Sequence, residues 1–296
     1  MKYQHIVDAL LDSYLDTPIR KEHCACRMPS NKAVKEIVSL SKRLLFPGYF
    51  SMSGKGEDET EHETAHLVKR LRIRLGRQIG DALLYLADKR KCKTIAAQAN
   101  ELAERYLLAM PSVRALLQKD LIAHYEGDPA AFNKDIIVVA YPGFYAIVVY
   151  RLAHVLHALE VPILPRMMTE FGHRETGIDI GAGAKIGESF FIDHGTGVVI
   201  GETAVIGDRV KMYQGVTIGA MSTSSGRKLA GIKRHPTIGD DVTIYAGASI
   251  LGGDTMIGSR STIGSNAFIT ESVDSDSRVS MKPGELVVRN KKGINA

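Results

Sequence analysis

The sequence predicts an α+β protein in which an all-helical N-terminal domain precedes a parallel β-helix of hexapeptide repeats. Two observations carry this. From Ile178 to Thr270 a branched or long apolar residue returns every six positions: Ile180, Ile186, Ile192 and Val198, then Ile200, Ile206, Met212 and Ile218. The run resumes with Ile238, Ile244 and Ile250, then Leu251, Ile257, Ile263 and Ile269, and glycine follows the apolar residue at 181, 187, 201, 207, 219, 258 and 264. A period of six fits neither a helix nor a plain strand. The unit is a short strand plus a corner, which buries its one apolar residue only by winding into a coil that stacks on itself. Before about residue 172, in contrast, apolar residues recur at helical spacing.

The helical elements follow in order. Ser30 to Leu45 opens on a capping residue, Ser30 or Asn31, and carries Val34, Ile37, Val38 and Leu44-Leu45 on one side. Pro47-Gly48 ends it, and a polar loop, Ser53 to Glu59, follows. A long helix is expected from about 61 to 91, with Leu67, Leu71, Leu75, Ile79, Leu83 and Leu86 as its stripe. Further helices are expected near 95–109, 112–125 and 142–159, the last with Pro142 in its first turn. Arg166 to Gly177 reads as the transition between the two periodicities. The domains are therefore 1–172, helical; 173–272, β-helix with an excursion loop over 220–235; and 273–296, a tail with a turn at Pro283-Gly284 and a basic stretch from Arg289 to Lys292.

Composition narrows the function. The chain has 296 residues, 45% hydrophobic and 24% charged, with 38 basic against 33 acidic side chains. That balance does not point to nucleic acid, though it suits phosphorylated small molecules. Asp8, Asp12 and Asp16 interrupt the N-terminus where a signal peptide needs an apolar core. The longest apolar run, Ile136 to Tyr150, is too short to span a membrane and is broken by Pro142-Gly143. Cys24, Cys26 and Cys92 form no secreted-type disulfide framework, and no second pair completes His23-Cys24-x-Cys26 as a zinc site. A cytoplasmic protein without a metal is expected.

Chemistry becomes possible where the repeat breaks. Between Ile192 and Ile200 the register gains two residues, within Asp193-His194-Gly195-Thr196-Gly197. Between Ile218 and Ile238 it gains fourteen, a Gly/Ser-rich and then basic loop ending in Arg234-His235-Pro236. His194 is either a polar corner residue or a general base. Asp179 lies one coil earlier in a stack whose coils are about 4.8 Å apart, so the two side chains can meet, and a carboxylate behind an imidazole fixes its tautomer and stabilises the imidazolium. Arg234 is suited to gripping a carboxylate, and His235 stands beside it. Glu126-Gly127-Asp128-Pro129 is turn chemistry that also places a carboxylate on a rigid corner. No G-x-S-x-G or Walker A motif competes, so the substrate's own hydroxyl is expected to attack a bound donor.

At these residues the chain resembles the serine O-acetyltransferases of bacterial and plant cysteine biosynthesis. The matching runs are Asp179-Ile-Gly-Ala-Gly-Ala-Lys-Ile-Gly187, Asp193-His-Gly-Thr-Gly-Val-Val-Ile-Gly-Glu-Thr203, Tyr213-Gln-Gly-Val-Thr-Ile-Gly219 and Arg234-His235-Pro236. The resemblance covers roughly residues 110–285 and implies a left-handed, trimeric prism, often paired into a dimer of trimers, acting on L-serine and acetyl-CoA. It implies His194 as general base with Asp179 behind it, and Asp128, Asp193, Arg234 and His235 around the amino acid. It also implies Gly219, Ala220, Ala246 and Gly247 along the acetyl-CoA co-substrate. Two departures stand out: Gly219-Ala220 replaces the usual Gly-Gly, and the following loop is long. The chain ends Gly-Ile-Asn-Ala rather than in the isoleucine that docks O-acetylserine sulfhydrylase, which puts that partnership in doubt. The rival readings are a homoserine or sugar acceptor on the same prism, a zinc hydratase needing three converging imidazoles, and a non-catalytic assembly module.

Overall fold

The computed structural model describes residues 2–16, 27–50, 57–86, 92–222, 224 and 226–281. The His23-Cys24-x-Cys26 cluster, residues 53–56 of the polar loop and the tail beyond residue 281 lie outside them. Seven α-helices precede fourteen short strands among the described residues.

Helix α1 (Gln4–Asp16) is followed by α2 (Asn31–Leu45), which Ser30 caps by accepting from Ala33 N at 3.1 Å. Helix α3 (Glu57–Leu86) buries Leu67, Leu71, Leu75 and Ile79 as its stripe predicts, but Leu86 at its end is exposed. The two helices expected over 95–109 and 112–125 are one, α4 (Cys92–Gly127), with Pro111 inside it. A proline removes one backbone bond. The buried series Leu102, Tyr106, Met110, Val113 and Leu117 keeps one face in the core through it, so packing carries the helix across. Helix α5 (Lys134–Ala140) and helix α6 (Pro142–Ala158) bend by 70° where the long apolar run is interrupted. Among the described residues no single helix is long and apolar enough to cross a membrane. The expected transition is itself helical: α7 (Leu164–Thr176) ends on left-handed Gly177 at φ 71.

The strands then run through three parallel sheets in turn. The first sheet is β1 (Asp179–Ile180), β4 (Val199–Ile200), β7 (Thr217–Gly219), β10 (Ser249–Leu251) and β13 (Phe268–Ile269). The second is β2 (Lys185–Ile186), β5 (Val205–Ile206), β8 (Thr237–Ile238) and β11 (Met256–Ile257). The third is β3 (Phe191–Ile192), β6 (Lys211–Met212), β9 (Thr243–Ile244), β12 (Thr262–Ile263) and β14 (Arg278–Val279). Pairing puts the hexapeptide residues of successive coils directly over one another: Ile180, Ile200, Ile218, Ile250 and Ile269 form one wall of the core. The expected end of the prism at residue 272 is corrected. Val273 bridges Ile257 and β14 pairs with β12, so the coil continues to Val279 after the isoleucine period has lapsed.

A buried polar cluster seats the helices on the first coils. Arg151 of α6 grips Asp120 of α4 through Nε and Nη2 at 2.6 and 2.8 Å and donates to the Gly187 carbonyl at 2.7 Å. Asp120 Oδ1 also accepts from Phe190 N at 2.9 Å. One turn on, buried His124 donates through Nδ1 to the Asp120 carbonyl at 2.7 Å. Burial pushes the imidazole down to about 4. Because this folded value lies below the usual 6.5, the unfolded chain takes up the proton first. Stability is complete above pH 6.5 and declines as pH falls toward 4, by about 3 kcal/mol at most for this group. Urea midpoints at pH 7.5 and 5 should therefore separate more for the parent than for His124→Leu.

Candidate active site

The structure resolves the sequence-predicted residues into two groups on different edges of the prism. The edge between the third and first sheets carries Asp193 and His194, and two coils further along it Ala246 and Gly247. The edge between the first and second sheets carries Gly219, Ala220, Arg234 and His235. Within one chain the face of the first sheet separates the groups. Asp179 starts that face on β1.

His194 is displayed by the extra residues of its corner. It adopts a left-handed backbone at φ 56, and Gly195 follows at φ 83. A Cβ on Gly195 would lie 2.4 Å from Ile178 Cδ1, so the glycine occupies the inside of the corner and the imidazole projects out, 70% exposed. Asp193 Oδ1 accepts from His194 N at 2.8 Å and stands 3.7 Å from Nδ1. No hydrogen bond or ion pair joins Asp179 to His194 among the described residues; the carboxylate at hand is Asp193.

The helical domain lends a second carboxylate. Asp128 directly follows α4, and there its Oδ1 accepts from Ala130 N at 2.8 Å and its Oδ2 from Tyr141 Oη at 2.5 Å. The segment is thus both the turn its composition predicts and a displayed carboxylate. The Tyr141 hydrogen bond, then the Ala130 amide, hold the Asp128 carboxyl below the usual range, and His194 lies near enough to add to this. The Tyr141 phenol is pushed up to about 12, chiefly by the Asp128 carboxylate it bonds. Tyr213, one coil below Asp193, stacks on Tyr245 with ring centroids 5.2 Å apart. Burial first, then Tyr245, Asp193 and Asp128, push its phenol up. Asp128, Asp193, His194, Tyr141 and Tyr213 therefore face one another. Neither tyrosine carried a motif signal beyond Tyr213's place in a family run.

On the second edge His235 is buried rather than displayed. Thr203 N donates to its Nδ1 at 3.0 Å, so Nδ1 is bare and the proton sits on Nε2. The Thr203 hydroxyl, 2.8 Å from Nδ1, accepts from Arg234 N and His235 N at 3.0 and 3.2 Å. A Cβ on Gly201 would meet the ring at 2.1 Å, which is why the coil opposite His235 carries glycine. Burial, then Arg234, push its pKa down to about 4, so the ring is a neutral N–H donor near pH 7. Arg234 Nη1 donates to the Leu229 and Ile232 carbonyls at 3.2 and 3.4 Å, folding the excursion loop about itself. Its side chain lines a cavity of about 590 Å³ with Lys233, Lys185, His157 and Glu202. Ala246 and Gly247 stack below Gln214 and Gly215 on the His194 edge. A Cβ on Gly215 would lie 3.5 Å from Gly247 Cα, and both glycines take positive φ. Among the described residues no three His, Cys, Asp or Glu side chains converge as metal ligands do.

Known proteins resemble the chain over most of its length. A plasmid-borne serine acetyltransferase of Synechococcus elongatus is 44% identical over 267 residues, covering 86% of this chain and 82% of that protein. The serine acetyltransferase of Bacillus subtilis is 41% identical over 179 residues, 60% of this chain and 79% of its own length. Among solved structures, serine acetyltransferase isoform 3 of Entamoeba histolytica in complex with cysteine superposes with a TM-score of 0.73 at 33% identity, covering 98% of this chain and 96% of that one. The Neisseria gonorrhoeae enzyme in complex with serine gives 0.56 at 25% identity, over 86% and 95%. No family model matches the chain. On the breadth of the Synechococcus match, and on the fold and corner residues already described, the chain belongs to the serine acetyltransferase family.

Proposed function

We propose that this chain transfers the acetyl group of acetyl-CoA to the hydroxyl of L-serine, giving O-acetyl-L-serine and CoA for cysteine biosynthesis. The observation that carries the reading is an exposed imidazole, His194, on a rigid glycine corner beside the carboxylates Asp193 and Asp128. His194 takes the serine hydroxyl proton as the alkoxide attacks the thioester carbonyl. The tetrahedral oxyanion, held by backbone N–H groups, collapses with cleavage of the C–S bond, and the imidazolium returns its proton to the CoA thiolate. Asp128 and Asp193 receive the α-ammonium and Arg234 the α-carboxylate. Asp179 is assigned to orient the imidazole, and the backbone at Gly219, Ala220, Ala246 and Gly247 to guide the thioester arm.

Because Arg234 and His235 stand on a different edge from His194, a second copy must bring its Arg234 edge against the first copy's His194 edge. A cyclic homotrimer satisfies that requirement with three equivalent sites. The reaction is tested by thiol release from acetyl-CoA with L-serine, L-homoserine and a hexose. Serine should lead by at least about tenfold in kcat/KM, since a pocket built for one chain length discriminates a methylene by roughly 10–200-fold. Equal or faster turnover of homoserine or the hexose overturns the assignment.

A further inference from the structure

Asp128 is the carboxylate that the helical domain contributes, and both of its oxygens are engaged. The Ala130 bond is local to the turn. The Tyr141 bond instead crosses from the end of α4 to the start of α6. Tyr141 directly precedes Pro142-Gly143, and Gly143 packs so tightly on β3 that a Cβ there would lie 2.1 Å from the Ile192 carbonyl oxygen. Ile192 in turn directly precedes Asp193 and His194. The Tyr141 backbone is thus pinned to the strand that displays the other two charged groups, and its hydroxyl is a fixed point relative to them.

We infer that Tyr141 is a positioning residue whose hydroxyl sets the Asp128 carboxylate where it and Asp193 together receive the α-ammonium of the acceptor amino acid. This rests on the amino-acid reading proposed above. A phenol that donates to a carboxylate favours its ionised form, and Tyr141 is the largest of the influences holding Asp128 below the usual carboxylate range. His194 and His124 face the same carboxylate and pull in the same direction when charged, whereas Asp193 faces the Tyr141 phenol and Tyr213 lies on the prism side.

Tyr141→Phe keeps the ring and removes the donor. Loss of a hydrogen bond to a charged group should raise KM for L-serine about 10- to 100-fold, with KM for acetyl-CoA unchanged and kcat within about threefold. Asp128→Asn/Tyr141→Phe should be no worse than Asp128→Asn alone, because Tyr141 acts through Asp128. The Asp128 carboxyl, followed by 13C NMR in labelled protein, should titrate at higher pH in Tyr141→Phe than in the parent. An unchanged serine KM, or a parallel fall in both affinities and in kcat together with the melting temperature, overturns the inference. So does an unchanged Asp128 titration. The titration needs no turnover: a parent that fails to acetylate serine while the carboxyl still shifts in the variant overturns the amino-acid reading, not the role of Tyr141.

Discussion

His194→Ala should lower kcat/KM for L-serine about 10²–10⁴-fold, the usual contribution of a general base, with little change in thermal midpoint. The side chain is 70% exposed, so its loss removes chemistry rather than packing. The left-handed backbone at φ 56 costs alanine something, which makes His194→Asn the better control: asparagine tolerates that conformation, cannot act as a base, and should fall as far. Activity within tenfold of the parent in either variant sinks the mechanism. A second measurement uses the same protein. Re-associated with Arg234→Ala chains, His194→Ala chains should regain activity, because an intact His194 edge then meets an intact Arg234 edge. No regain would mean that the two edges do not share a site.

Arg151→Ala should destabilise the protein by about 3–5 kcal/mol, the loss expected when one partner of a buried ion pair is deleted and the other is stranded. Asp120 is fully buried, and its remaining bond to Phe190 N cannot balance a carboxylate charge. Burial already pushes this carboxyl up, and removing the guanidinium pushes it further. A folded-state pKa above the unfolded one means the deficit is present at neutral pH and shrinks as pH falls and the carboxyl protonates. Arg151→Met/Asp120→Leu, which strands no charge, should lose much less. Chemical denaturation at pH 7.5 and 5.5 checks both statements. The serine KM of Arg151→Ala should rise as well, since Asp120 lies on the last turns of α4, which Asp128 directly follows, and the pair holds that helix to the Gly187 coil. A variant as stable as the parent would show that apolar packing alone seats the helices.

Much of the molecule was legible in one dimension. The isoleucine period specified coil, register and core because each strand contributes one inward residue, so a six-residue rhythm is a direct image of the cross-section. The α2 cap and the α3 stripe were legible for the same reason: local chemistry decides them. Pro111 misled because a backbone rule was outweighed by a continuous buried face, which is a tertiary quantity. Helix α5, seven residues long, is too short to show a period, and α7 spans the point where the helical period gives way to the six-residue one. The last coil escaped because its strand ends in Val279 after the period had broken.

That Asp193-His194 and Arg234-His235 interrupt the repeat follows from the order of residues alone, since an interruption is a count of residues. Folding in three dimensions sets where those interruptions fall around the prism, that His194 projects while His235 is buried on Thr203, and that Asp193 rather than Asp179 stands beside the imidazole in the single chain. It also revealed Tyr141, whose bond to Asp128 joins two helices across a fold that sequence spacing does not encode. The reason is geometric. Periodicity reports the direction of a side chain relative to its own element, whereas a site is made where separate elements meet, and that meeting depends on packing contacts such as Gly143 on Ile192 that leave no period behind.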